Sequence, residues 1–195
     1  MKKVEWRTAR KNGKIKMENN SGKFKRFILK GDAITFVDWA NVHGWEKSLK
    51  REIDPAALFA YLKSYSEIQE IRLYFGKDAH PKSIAFLDAA EKTGYAITTK
   101  EVKYILEGQV GGQKIYRRKC DFDIEICIDV HEAIEKTRTC IFFTGDGDFA
   151  PLYQKLIGLH KQVIVVYAPG HLGREVWDIK KGLFVRIASV VYTFL

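Results

Sequence analysis

Carboxylates in this chain recur at the ends of apolar runs, where a fold can gather them. The clearest case is Thr144-Gly145-Asp146-Gly147-Asp148-Phe149, directly behind Ile141-Phe142-Phe143. An apolar run cut off by turn residues reads as a buried parallel strand. Phe149-Ala150-Pro151-Leu152 then opens a helical pattern. Asp146 and Asp148 therefore stand at the carboxyl end of a strand, the edge where open α/β sheets bind ligands. Two carboxylates one residue apart on a glycine-flexed turn suit a hard cation, Mg²⁺ or Mn²⁺. Asp148 would equally suit capping of the next helix. This stretch alone does not choose between the two uses.

Other acids repeat the arrangement. Ala33-Ile34-Thr35-Phe36-Val37 is a short β-branched run ended by Asp38, with Asn41 three residues on. Asp38 would meet Asp146 and Asp148 if the two strands are neighbours. Asp121 and Asp123 open a third stretch, in which Ile124, Cys127, Ile128, His131 and Ile134 fall at helical spacing. Acids in a first turn also complement the helix dipole; Asp121 as the N-cap would leave Asp123 near the second helical position. Asp129 lies too deep for a cap and reads as a supporting acid or a surface residue. His131 reads as a helix-face histidine, since no second His shares its spacing. Cys120, Cys127 and Cys140 have no zinc-ligand spacing and read as small, reduced apolar side chains.

Cations are placed as unevenly as the acids. Residues 1–31 hold eleven Lys and Arg against two Glu, whereas residues 32–195 balance at 22 against 22. The whole net charge of +9 thus belongs to the N-terminal segment. A basic arm on a neutral domain is a handle for a polyanion, and nucleic acid is the favoured one. A solubilising tail is the plain alternative. An anionic membrane surface fits less well, because the arm has no amphipathic helical stripe. A second basic run, Lys114-Ile115-Tyr116-Arg117-Arg118-Lys119, leads straight into the Asp121/Asp123 stretch.

The elements that must position these residues alternate between strand and helix. Residues 1–31 carry period-two fragments separated by Asn12-Gly13 and Asn19-Asn20-Ser21-Gly22, a basic arm or small β-meander. Trp6, Phe24 and Phe27 interleave with its cations and could stack on bases or pack on the main domain. Residues 32–195 form the second unit. After the first strand, residues 39–44 read as a loop. Asp54-Pro55 starts a helix by cap and first-position logic. Strands are expected at 70–75, 95–99, 139–143, 162–167 and 184–188. Helices are expected at 82–93, 149–159 and 174–180, with Gly94 stopping the first. Residues 108–113 read as a flexible tip. Strands alternating with helices imply right-handed crossovers and a mainly parallel α/β sheet. No apolar run approaches the roughly 20 residues of a membrane span, and no signal-peptide core follows the N-terminus, so a cytoplasmic protein without membrane partners is expected. A homodimer is admitted but not demanded.

Three of these motifs together resemble one family. Phe36-Val37-Asp38-Trp39-Ala40-Asn41 resembles the "V-D-x-x-N" first strand of NYN domains. Residues 120–129 resemble their "K-G-V-D-V-x-x-x-x-D" helix start, and residues 144–152 their "S-G-D-S-D-F-x-P-L". Arg174-Glu175-Val176-Trp177-Asp178 is loosely similar to "L-R-x-x-A-D". The match spans about residues 33–188, with the motifs in the family's order, and is closest to the LabA-like group within the PIN-like nuclease superfamily. It departs at the Lys-Gly pair, which falls on Cys120-Asp121. A shifted register would put Asp121 in place of Asp123, although the spacing to Asp129 favours Asp123. The resemblance implies a Rossmann-like PIN-type three-layer sandwich with strand order 3-2-1-4-5. It implies a metal-dependent ribonuclease whose catalytic and metal-holding acids are Asp38, Asp123, Asp146 and Asp148, with Asn41 in support and Mg²⁺ or Mn²⁺ as cofactor. Lys114, Arg117, Arg118 and Lys119 are then expected to carry the backbone of the RNA, read as single-stranded. A non-catalytic RNA-binding module that keeps the acidic pocket is the alternative. A phosphatase is disfavoured, because Trp39-Ala40 follows Asp38 where a second Asp would be needed.

Overall fold

The apolar runs that interrupt this charged sequence become the strands of one parallel sheet. The computed structural model describes residues 10–11, 14–15, 26–182 and 186–189. In the N-terminal segment, β1 (Arg10–Lys11) pairs antiparallel with β2 (Lys14–Ile15). The turn at Asn12-Gly13 and the segments around Trp6 and Phe24 lie outside the described residues.

Residues 26–30 are not a strand; they lie along the amino edge of the main sheet. The Phe27 ring stacks on Tyr65, and its N–H donates to the Tyr65 hydroxyl. Gln162 accepts from the Lys30 N–H and donates to the Ile28 carbonyl. These bonds satisfy backbone groups that would otherwise be orphaned at a sheet edge.

The chain then runs β3 (Ala33–Asp38), α1 (Trp39–Leu49), α2 (Pro55–Lys63), β4 (Ile68–Lys77), α3 (Pro81–Thr93) and β5 (Ala96–Glu101). It continues through β6 (Lys103–Val110), β7 (Gln113–Lys119), α4 (Asp123–Ala133) and β8 (Thr139–Phe143). A 3-10 turn (Gly147–Phe149), α5 (Ala150–Gly158), β9 (Gln162–Tyr167), α6 (Arg174–Gly182) and β10 (Arg186–Ser189) complete it. The sheet order is β10-β9-β8-β3-β4-β5, with every neighbouring pair parallel. Counted from β3, that is the implied 3-2-1-4-5 order with a sixth strand added beside β9. The winding reverses between β3 and β8, the switch point where such sheets leave a crevice.

Period-two alternation divides the core into two layers. Ala33, Val37, Leu73, Ile141, Phe143, Ile164 and Val166 face Trp39, Val42 and Trp45 of α1, Leu58 and Leu62 of α2 and Ala90 of α3. Ile34, Phe36, Tyr74, Phe142 and Val165 face Ile126 and Val130 of α4, Tyr153 and Leu156 of α5 and Val176 of α6. The strands are buried on both faces, as a parallel sheet requires. Each fully buried ring such as Phe142 contributes about 1.5–3 kcal/mol of transfer free energy.

Three expectations need correction. Residues 39–44 are no loop: α1 starts at once, because the Asp38 side chain accepts from the Ala40 and Asn41 N–H groups. Residues 108–119, read as a flexible tip and a basic run, belong to an antiparallel hairpin that spans 103–119 and whose turn has Gly111 and Gly112 at φ 59° and 84°. On α4, the stripe containing Ile124 and Ile128 faces outward, at 69% and 53% exposure, while Ile126, Val130 and Ala133 are buried. Both stripes are apolar, so periodicity could not rank them. Among the described residues, no helix is long and apolar enough to cross a membrane.

Candidate functional site

The site is assembled at the carboxyl edge, on both sides of the switch point. Asp38 is the last residue of β3 and is 6% exposed. One carboxylate oxygen caps α1 through Ala40 N–H (3.1 Å) and Asn41 N–H (3.3 Å). The other accepts from Asn41 Nδ2 at 2.8 Å. Burial raises the Asp38 pKa; the Asn41 and Ala40 hydrogen bonds oppose the shift and the charge of Asp146 adds to it. Asn41 thus orients an acid that burial would otherwise neutralise.

On the other side, β8 ends at Phe143 and the chain turns through Gly145-Asp146-Gly147. Asp146 N–H donates to the Thr144 hydroxyl, and the Asp146 carboxylate accepts from Asp148 N–H at 3.0 Å. Asp146 therefore caps the 3-10 turn, and α5 itself has Phe149 at its N-cap with no side-chain cap bond, so Asp148 does not cap the helix. The turn is pressed against the loop before α6. Gly173 N–H donates to the Gly145 carbonyl at 2.7 Å. A Cβ at Gly145 would strike the His171 carbonyl, and one at Gly147 the Glu175 carboxylate. Glycine is required here for close backbone approach.

Asp123 closes the group from a third stretch. It is the first residue of α4, whose N-cap is Phe122 with no side-chain cap bond. Burial pushes its carboxyl up to about 6, and the charges of Asp146, Asp121, Asp38 and Asp148 push in the same direction. Asp121 is exposed and lies 3.5 Å from Lys119. Of the two helix-start acids, Asp123 is the one set among the others. The four carboxylates share one electrostatic field. They are not drawn to one point: among the described residues, no group of three or more His, Cys, Asp or Glu could hold a metal ion as it stands. The donor set is nonetheless all carboxylate oxygen, the chemistry a hard divalent cation takes.

Two residues join the site without having been singled out in the sequence. Tyr153 of α5 is fully buried, and its hydroxyl has no hydrogen-bond partner. Burial drives its pKa up, and the charges of Asp146 and Asp38 add to that, so the hydroxyl lies within the field of the acids. Glu175 brings a fifth carboxylate to the Gly147 turn. The loose motif at residues 174–178 was its signal; Tyr153 had none, since a helix-face tyrosine reads as core.

The remaining candidates are placed elsewhere. Asp129 accepts from the Tyr74 hydroxyl (2.6 Å) and pairs with Arg72 (3.0 Å), a structural link between α4 and β4. His131 is exposed. Arg174 lies 3.8 Å from Asp178. Burial raises the pKa of all three cysteine thiols, contrary to what a nucleophile needs. Lys114, Arg117, Arg118 and Lys119 are all exposed on β7. Arg117 pairs with Glu107 at 2.6 Å and Arg118 with Asp78 at 3.3 Å.

A doubly wound parallel sheet whose winding reverses between β3 and β8 defines a Rossmann-like class of α/β protein, with the acids at the edge where such sheets bind ligands. The chain belongs to the NYN domain family, which it matches over residues 33–180. That family is PIN-like and nuclease-related. The chain is 28% identical to the Low amplitude and bright protein LabA of Synechococcus elongatus over 142 residues, covering 72% of this chain and 75% of that one. A solved protein of unknown function from Vibrio parahaemolyticus superposes with a TM-score of 0.66 at 20% identity, covering 88% of this chain and 99% of that one. That likeness speaks for the fold alone.

Proposed function

We propose that this chain is a cytoplasmic, metal-dependent ribonuclease. Asp38, Asp123, Asp146 and Asp148 would hold Mg²⁺ or Mn²⁺ at the carboxyl edge of the sheet. The observation that carries the reading is the setting of Asp123, a partly buried carboxyl at the start of α4 whose proton affinity is raised by burial and then by the charges of Asp146, Asp121, Asp38 and Asp148. Converging carboxylates that repel each other need either protons or a cation. When bound, the ion supplies charge neutralisation on the phosphodiester and an activated water. The residues of the chain do the rest. Asn41 holds the Asp38 carboxylate in one orientation. The close approach of residues 171–173 to Gly145 and Gly147 fixes the turn that carries Asp146 and Asp148. Lys114, Arg117, Arg118 and Lys119 meet the RNA backbone on the hairpin.

A non-catalytic RNA-binding module is the second reading. It is favoured by one observation: the acids are not gathered into a ready ion cage. Labelled single-stranded RNA incubated with the protein and Mn²⁺, beside Asp146→Asn, separates the two. Manganese-dependent cutting that the variant loses is the expected result. Binding without cutting in both proteins would leave the module.

A further inference from the structure

The β6–β7 hairpin stands apart from the two core layers. Its six large apolar side chains stay exposed, from 39% at Ile105 to 68% at Val110. A two-stranded hairpin alone in water is marginal, so a hairpin this bare is built to be covered.

The register decides what covers it. Tyr104 faces Arg118, Leu106 faces Tyr116 and Gln109 faces Lys114 across the ladder. One face therefore carries two aromatic rings, an aliphatic side chain and two cations. Tyr104 and Tyr116 are diagonal neighbours, roughly 7–8 Å apart at the backbone, about twice the ~3.4 Å spacing of stacked bases. The lower end of this face is fixed. The Tyr104 hydroxyl donates to Asp78 at 2.9 Å, and Arg118 donates to the Gly76 carbonyl at 2.8 Å while pairing with Asp78.

Charge favours a polyanion over a protein. The two strands hold five Lys and Arg against one Glu. Position favours the same occupant. β5 runs parallel to β4, so β6 leaves from the carboxyl edge, and β7 returns there four residues before Asp123. Whatever lies on the hairpin is led toward the acids.

We propose that this face is a stacking platform for unpaired RNA bases, which makes the chain selective for single strands over duplex. Bases stack on Tyr104 and Tyr116, and Lys114 and Arg118 meet the flanking phosphates. A duplex keeps its bases stacked on each other and offers the rings nothing. The inference rests on the ribonuclease reading, with its single-stranded RNA, and adds Tyr104 and Tyr116 as the rings that hold the strand.

The test uses the full chain carrying Asp146→Asn, so that binding is read without cutting. Fluorescence anisotropy follows a labelled oligouridine and an RNA duplex of equal length. Tyr116→Thr deletes the ring while keeping strand propensity; Tyr116→Phe keeps the ring. We expect Tyr116→Thr to bind oligouridine about tenfold more weakly and duplex nearly unchanged, with Tyr116→Phe restoring the loss. Unchanged oligouridine binding, or equal loss on both RNAs, overturns the platform and leaves the nuclease reading standing. A variant that alters self-association in sedimentation instead makes the hairpin an interface between copies and also overturns it. No binding of either RNA by the parent removes both readings.

Discussion

Asp123 is where the electrostatics of the site can be read directly. An unfolded Asp titrates near 3.9, whereas Asp123 in the fold is pushed up to about 6 by burial and by its acidic neighbours. The folded state therefore binds this proton more tightly than the unfolded state. By linkage, the stability that this group lends is present at the acid end and is lost as pH rises from about 4 to about 6. Above that window the ionised carboxylate is a cost. Asp123→Asn should accordingly raise the melting temperature in EDTA at neutral pH, and the gain should shrink as pH falls toward the window's lower end. Thermal unfolding followed by circular dichroism across that range checks it. A variant that melts below the parent at neutral pH contradicts the placement of Asp123 among the acids.

At the scale of elements, the decisive approach is between the turn after β8 and the loop before α6. Gly145 has no room for a side chain, since any Cβ meets the His171 carbonyl. Gly145→Ala must push backbone against backbone and displace Asp146 with it. We expect a loss of about 2 kcal/mol, in the range of overpacked sites, together with loss of manganese-dependent cutting. Gly158→Ala, where added atoms meet open space, is the control and should leave both nearly unchanged. Urea denaturation of both variants measures this.

The same elements show what the sequence made legible. β8 and β9 were readable to the residue because each is an unbroken apolar run buried on both faces. The start of α2 followed from Asp54-Pro55, whose cap bond to the Ala56 N–H is present at 2.9 Å. The hairpin was not legible, because its strands show no period-two alternation (Tyr104-Ile105-Leu106 and Arg117-Arg118-Lys119 are runs of one kind) and no buried face enforces one. A bulge between Leu106 and Gly108 further breaks the period. On α4, tertiary packing against Phe36 and Phe142 selected one of two apolar stripes. Among the site residues, the acids were legible from their places at strand ends. The burial of Tyr153 depends on which face of α5 meets the sheet, which no local pattern states.

In the whole molecule, the acids and the segment that follows the basic arm meet the sheet at opposite edges. The acids lie at the carboxyl edge of the sheet, while residues 26–30 lead in along the amino edge, tied to Thr139 and Gln162 at the starts of β8 and β9. Residues 1–25 hold nine of the 33 Lys and Arg. Removing them should leave the melting temperature nearly unchanged, because Phe27 and Lys30 keep their partners. RNA affinity should fall, and its dependence on salt should flatten by about 0.7–0.9 logarithmic units for each phosphate that the arm neutralises in the full chain. Anisotropy titrations at several salt concentrations read this slope; an unchanged slope would make the segment a solubilising tail. The central claim is that the acids of three separate stretches form one cation site. Anomalous scattering from a crystal soaked in Mn²⁺ tests it most directly. The account predicts a manganese peak bounded by Asp38, Asp123 and the Asp146/Asp148 turn, absent in Asp146→Asn; a soaked crystal with no peak there, or with manganese held elsewhere on the surface, contradicts it.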